Sequence, residues 1–218
     1  MIKHILFDCD GVLIDTEIVA AEVVTSWLNS EGVNIDIETF ISSYTGKTFS
    51  DILQLIKDEG HLPQDIDVRD SVRHMDEAIR NNMRPISGVH EMLSGVPVTA
   101  SMVSNSAADY VFEAIQMLEA NHIFEQRVFS AEMVPKGKPD PAVYLLALDR
   151  LGLNQDEVLV VEDSVAGVSA SVAAGLKTVG FLGGTHVRAG HGDKLLKFGA
   201  EELINSHQQL HSYFDRFR

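Results

Sequence analysis

One cysteine, Cys9, is all that the 218 residues contain, so no disulfide can form within the chain and a reducing compartment is implied. Positive charge is scarce too. Seventeen Lys and Arg stand against 32 Asp and Glu, a net charge of −15, and no basic run interrupts that excess. A field of this sign repels nucleic acid and anionic lipid surfaces, so neither is an expected partner. No stretch approaches the ~20 consecutive apolar residues of a membrane span. Met1 is followed directly by IKHILF, without the longer apolar segment of a signal peptide. Linkers rich in Pro, Gly or Ser, internal repeats and low-complexity tracts are also missing. These absences predict a soluble cytoplasmic protein. The bulk composition, 45% hydrophobic and 22% charged, is that of a packed globular chain long enough to bury a core.

Two rhythms divide the chain. Residues 2–7 (IKHILF) form a short apolar run of the kind a buried parallel strand requires. After Thr16 the spacing turns helical, with Ala20, Val24, Trp27 and Leu28 on one face and Phe49, Ile52, Leu53 and Ile56 on another. From Glu17 to about Arg84 no strand is expected. Beyond Pro85, apolar runs at 97–103, 127–129, 158–161 and 177–181 alternate with helical patterns, which predicts βαβ units and a parallel sheet. Gly152 and Gly175 fall where helices end, and a last amphipathic helix starts near His207. The expectation is an α/β, Rossmann-like parallel-sheet core built from residues 1–15 and 85–218, with an all-helical domain of residues 16–84 inserted after the first strand. Joined by two crossings, such an insertion could act as a lid.

In an open parallel sheet, ligands gather beyond the carboxyl ends of the strands. Four polar clusters sit at or soon after such ends: Asp8-Cys9-Asp10-Gly11, Ser104-Asn105-Ser106, Lys136 to Pro141, and Glu162-Asp163-Ser164. Together they hold three or four carboxylates, one or two ammonium groups and a hydroxyl. Oxygen-only donors suit a hard cation such as Mg²⁺, and a lysine with a Ser/Asn turn suits the anionic oxygens of a phosphoryl group. Asp8 and Asp10, two residues apart on extended chain, should project to the same side, with Cys9 pointing the other way as a small buried residue.

The ordered clusters DCDGVLIDTE, SNS at 104–106, KPDP at 138–141 and EDSVAG at 162–167 resemble the four motifs of the haloacid dehalogenase-like superfamily. The likeness lies with its phosphatase and phosphomutase branch, which carries a helical cap after motif one. The resemblance implies a phosphomonoesterase acting on a small phosphorylated metabolite, a sugar or sugar-acid phosphate. A β-phosphoglucomutase-type transfer or a non-catalytic binder are the alternatives. Asp8 would be the nucleophile and Asp10 the acid/base. Ser104 would bind phosphoryl oxygens, with Asn105 beside it, and Lys138 would neutralise their charge. Mg²⁺ would be held by Asp8, the Asp10 carbonyl and Asp163, with Glu162 either a further ligand or a structural residue that caps the following helix or bonds to a neighbouring lysine. Dehalogenases that resemble this fold lack the second aspartate, so Asp10 favours phosphate esters.

Other features invite plainer readings. Lys136 competes with Lys138 within the third cluster. The string TGKT at 45–48 ends like a P-loop, yet Ile41 stands where that motif needs glycine and the preceding pattern is helical. Gly46 and Lys47 could instead meet a second anionic group of the substrate, or Lys47 could be an ordinary surface lysine. Glu17, at the start of the insertion, is a further candidate contact. The nine histidines are scattered, and His186 with His191 lacks the i, i+4 spacing of a helical zinc site, so none is given a chemical role.

Overall fold

The computed structural model describes residues 1–44, 47–125 and 127–217. The chain divides into two units, Met1–Asp15 with Pro85–Arg218, and Thr16–Arg84. Among the described residues, no helix is long and apolar enough to cross a membrane.

The first unit is built on six strands, β1 (His4–Phe7), β2 (Thr99–Ser104), β3 (Val128–Ser130), β4 (Val158–Glu162), β5 (Lys177–Phe181) and β6 (Glu202–Ile204). They lie in the order β3-β2-β1-β4-β5-β6, and every pairing is parallel. The fold class is therefore α/β with a Rossmann-like parallel sheet. Thr99, not Pro97, opens β2, because proline has no N–H to give to a ladder. β6 has no counterpart in the apolar pattern: it is three residues at the sheet edge, starting on a glutamate, with two of them only half-buried.

Alternation along β1 places neighbouring side chains on opposite faces of the sheet. Leu6 joins Val103, Val143, Tyr144, Ala147, Val158, Val160 and Ala170 in one buried cluster. Phe7 meets Phe124 and Phe214 edge-on, with ring centroids 6.1 and 6.2 Å apart. The covering helices of the unit are α5 (Val89–Ser94), α6 (Ala108–Met117), α7 (Asn121–Phe124), α8 (Ala142–Leu151), α9 (Val165–Ala173), α10 (His191–Lys197) and α11 (His207–Phe214), the four of the inserted unit being counted below. Gly152 ends α8 in the left-handed region, with φ of 66°, as its position implies.

Register decides what emerges together. Phe7 pairs with Met102 on one side and Val161 on the other. Asp8, Val103-Ser104 and Glu162-Asp163 therefore leave the three central strands along one carboxyl edge.

The opposite edge holds a buried histidine. His4 Nδ1 lies 2.6 Å from Thr99 Oγ1 and Nε2 lies 2.8 Å from Ser101 Oγ. Thr99 directs its own hydrogen to the Lys3 carbonyl, so Nδ1–H donates to Thr99 and Nε2 accepts from Ser101, an arrangement only the neutral ring satisfies. Burial, helped by the charge of Arg127, lowers the His4 pKa to about 4. Below pH 6.5 the unfolded chain takes up a proton that the folded chain refuses until about pH 4. Stability should thus fall on acidification through that window, by up to ~1.4 kcal/mol per pH unit from this group. Chemical denaturation across the window should show a shallower slope for His4→Gln; an identical slope would remove His4 as the cause.

The second unit contains α1 (Thr16–Ser30), α2 (Ile37–Tyr44), α3 (Phe49–Asp58) and α4 (Val68–Asn81), and no strand among its described residues. Ala21, Val24, Leu28, Phe40, Ile52, Leu53, Ile56 and Met75 form its core, so the inner face of α1 is centred on Ala21 and not on Ala20. Thr48 caps α3, its side chain accepting from Asp51 N. That gives the end of TGKT a structural use.

Candidate active site

The third cluster delivers its lysine to the first. Lys138, 8% exposed, donates from Nζ to Asp8 Oδ1 at 2.7 Å, Val103 O at 2.7 Å and Glu162 Oε1 at 2.6 Å. Three acceptors match the three hydrogens of an ammonium group. Lys136, the competing choice, is exposed. Glu162 is fully buried, and both of its oxygens are engaged: Oε1 also accepts from Tyr144 OH at 2.9 Å, and Oε2 from Ser164 Oγ at 3.1 Å and Ser164 N at 3.3 Å. Ser164 also caps α9 through Gly167 N. Burial alone disfavours a charged lysine, but the carboxylates of Asp8 and Glu162 outweigh it and hold Lys138 above its ordinary pKa. Burial and the Glu162 charge push Asp8 and Tyr144 upward.

Asp10 faces the second cluster. Its Oδ2 accepts from Ser106 Oγ at 2.6 Å and its Oδ1 from Tyr110 OH at 3.3 Å. Ser104, 1% exposed, accepts on Oγ from Ser106 N at 3.0 Å. Asn105 turns its amide to the lysine segment, with Oδ1 accepting from Lys138 N at 2.8 Å and Nδ2 donating to Lys138 O at 3.0 Å. Its side chain thus braces the third cluster against the second. Cys9 is fully buried, and burial, with the charges of Asp10 and Asp8, raises its thiol pKa, which agrees with a packing role.

Asp163 completes the acidic group. One carboxylate oxygen each from Asp8, Glu162 and Asp163 lie within 4.8 Å of one another. Three acidic side chains share the single ammonium of Lys138 in a buried place, an excess of acidic groups that leaves residual negative charge for a cation to offset. Oxygen-only donors with that residual charge fit a hard divalent cation. Ser106, Tyr110 and Tyr144 entered the site without a chemical role predicted for them. Tyr110 lies on the first turn of α6, close in sequence to the second cluster.

Two glycines hold the acids in place. A Cβ on Gly11, whose φ is +73°, would lie 1.9 Å from Asp163 Oδ2, and one on Gly167 would lie 1.8 Å from Glu162 Oε1. Gly167→Ala is expected to destabilise the protein by about 1–3 kcal/mol through forced displacement of Glu162. Thermal unfolding checks this, and an unchanged midpoint would mean that Glu162 has room to move.

Glu17 and Lys47 are exposed residues of the helical unit, in the first turn of α1 and between α2 and α3. Gly46 lies outside the described residues.

The family model described as haloacid dehalogenase-like hydrolase matches residues 5–181. Among curated proteins, the chain is 25% identical over 187 residues to a 6-phosphogluconate phosphatase of Escherichia coli, covering 85% of each. It is 28% identical over 221 residues to a phosphorylated carbohydrates phosphatase of Thermotoga maritima, covering 95% of this chain and 96% of that one. A solved HAD family hydrolase from Deinococcus radiodurans, with bound phosphate and sodium, superposes with a TM-score of 0.85 at 27% identity over 99% of this chain and 96% of that one. With four clusters converging on one buried lysine and a family match over most of its length, the chain belongs to the haloacid dehalogenase-like hydrolases.

Proposed function

We propose that this protein is a Mg²⁺-dependent phosphomonoesterase that hydrolyses a small phosphorylated metabolite, a sugar or sugar-acid phosphate, through an aspartyl-phosphate on Asp8. The observation that carries the reading is the Lys138 ammonium, bonded to Asp8 and Glu162 beside Asp163 in one buried acidic group. The names of the relatives, phosphatases of 6-phosphogluconate and of phosphorylated carbohydrates, support the substrate class.

In this account a carboxylate oxygen of Asp8 bonds to phosphorus as the bond to the alcohol oxygen breaks. Protonated Asp10 gives its hydrogen to that departing oxygen. Asp10, now a carboxylate, then takes a proton from water as the water oxygen attacks phosphorus. Inorganic phosphate leaves and the Asp8 carboxylate is restored. Ser106 and Tyr110 hold Asp10 in position. Ser104, already accepting from Ser106 N, keeps its own hydrogen available for a phosphoryl oxygen. Lys138 neutralises charge on the phosphoryl group, braced by Asn105. Asp8, the Asp10 carbonyl and Asp163 would hold Mg²⁺, with Glu162 anchoring Lys138 instead of serving as a ligand. When bound, the cation supplies the positive charge that lets one anion approach another.

Glu17, Gly46 and Lys47 remain proposed contacts for the part of the substrate beyond its phosphate. For Lys47→Ala the expected result on an anionic sugar phosphate is a KM raised about tenfold with kcat nearly unchanged, the mark of lost uniform binding. An unaltered KM would make Lys47 a surface lysine.

Phosphate release from a panel of sugar and sugar-acid phosphates, with Mg²⁺ and with EDTA, tests the function as a whole. Hydrolysis that vanishes with EDTA is expected. Isomerisation of a sugar phosphate without phosphate release would favour mutase chemistry, and binding without turnover would favour a non-catalytic role.

A further inference from the structure

The loop after β5 contains Gly183-Gly184-Thr185-His186, and it is tied once to Asp15 and once to Asp163 of the acidic site. Asp15, 5% exposed, accepts from Thr185 N at 3.2 Å and from Thr185 Oγ1 at 2.7 Å. One residue further on, His186 Nε2 lies 3.1 Å from Asp163 Oδ2, with both side chains largely buried. A carboxylate oxygen can only accept here, so Nε2 carries the hydrogen and donates it. His191, the first residue of α10, puts its Nε2 2.6 Å from the Asp163 carbonyl oxygen and donates to it for the same reason.

Glycines on both sides make room for this grip. The Cβ that Gly11 lacks would lie 3.0 Å from His186 Cε1 as well as 1.9 Å from Asp163 Oδ2. One on Gly184 would lie 2.7 Å from two atoms of the His186 ring and 3.1 Å from the Gly11 carbonyl. The imidazole therefore occupies a fitted slot against the Asp163 carboxylate. A carboxylate that must capture a cation gains from a fixed orientation, and a donor on one oxygen supplies it. Imidazole can donate while neutral. A lysine in its place would satisfy Asp163 equally well but would repel the cation.

We propose that His186 is a positioning residue for metal capture: its Nε2–H fixes the Asp163 carboxylate, while Asp15 and Thr185 fix the loop that carries it. This rests on the reading of Asp163 as a Mg²⁺ ligand. It gives Asp15, the eighth residue of the first motif counting Asp8 as the first, a specific task, that of anchoring the loop which orients a metal ligand.

The test is calorimetric titration of Mg²⁺ alone into the full-length, metal-stripped protein, with no substrate present. His186→Phe fills the slot without a donor, whereas His186→Gln keeps a donor. His186→Leu replaces the Phe variant in the comparison if that variant does not fold. The expected result is a Mg²⁺ Kd raised about tenfold or more for His186→Phe and within about threefold of the parent for His186→Gln. Metal-free melting temperatures should stay close to the parent's. A Kd for His186→Phe within about twofold of the parent, or an equal loss in both variants, overturns the proposal. Asp163→Asn separates the two levels of inference. If it binds Mg²⁺ like the parent, the reading of Asp163 fails and takes this proposal with it. If it loses binding while His186→Phe retains it, only the role of His186 is lost.

Discussion

Asp8→Asn should lower kcat for phosphate ester hydrolysis by at least about a thousandfold while leaving the melting temperature unchanged or raised. The two halves of that result have different causes. Asparagine keeps the shape of aspartate but offers no carboxylate oxygen to bond phosphorus, so the two-step route closes. Stability moves the other way because Asp8 is 7% exposed and faces Glu162 and Asp163 across a shared acidic pocket. Burial first, and the Glu162 charge second, already push its pKa upward. A neutral side chain there removes repulsion, and Lys138 still has Glu162 and the Val103 carbonyl. Protein with an intact or raised midpoint and no turnover would mark a site that holds repulsion for the sake of reaction. Turnover within tenfold of the parent would exclude Asp8 as the nucleophile.

Lys138→Met should instead unfold the protein more readily, by about 3–5 kcal/mol, because removing one member of a buried charge pair leaves its partners uncompensated. Val103 O, Asp8 and Glu162 each lose a donor at 2.7 Å or less. For a chain of this length that is a fall in Tm on the order of 10 °C. Activity should fall with it, since the ammonium that holds Asp8 and offsets the charge of the phosphoryl group is lost. Adding Glu162→Gln to Lys138→Met should recover part of the stability and none of the activity, which separates the buried-charge penalty from the chemistry. A Tm within about 2 °C of the parent for the single variant would contradict the cage geometry.

Most of the acidic and hydroxyl residues of the site were legible in the sequence because they end or directly follow a strand of a parallel sheet, whereas Lys138 lies in the loop well beyond β3. Asp8, Ser104 and Glu162-Asp163 needed only the apolar runs before them and the rule that ligands gather at carboxyl ends. Their mutual contacts were not legible, since those depend on register, in which Phe7 meets Met102 and Val161. Tyr144 is a core residue of α8, and no hydrophobic pattern shows that its hydroxyl bonds to Glu162. Asn105 looked like a substrate contact by its place beside Ser104, and it is turned to the backbone of Lys138. The contacts of His186 and His191 with Asp163 were not legible for a different reason. The two histidines meet at Asp163 through a loop and the start of a helix, where no hydrophobic period places a side chain. The edge strand β6, three residues long, likewise left no pattern to read.

Rapid quenching in mild acid during turnover of a sugar phosphate, followed by mass analysis of the peptide that contains Asp8, tests the central claim most directly. One phosphoryl group on Asp8, present in the parent with Mg²⁺ and absent from Asp8→Asn, is the predicted result. Steady turnover with no phosphoryl group on that peptide, or with the group on another residue, would contradict it.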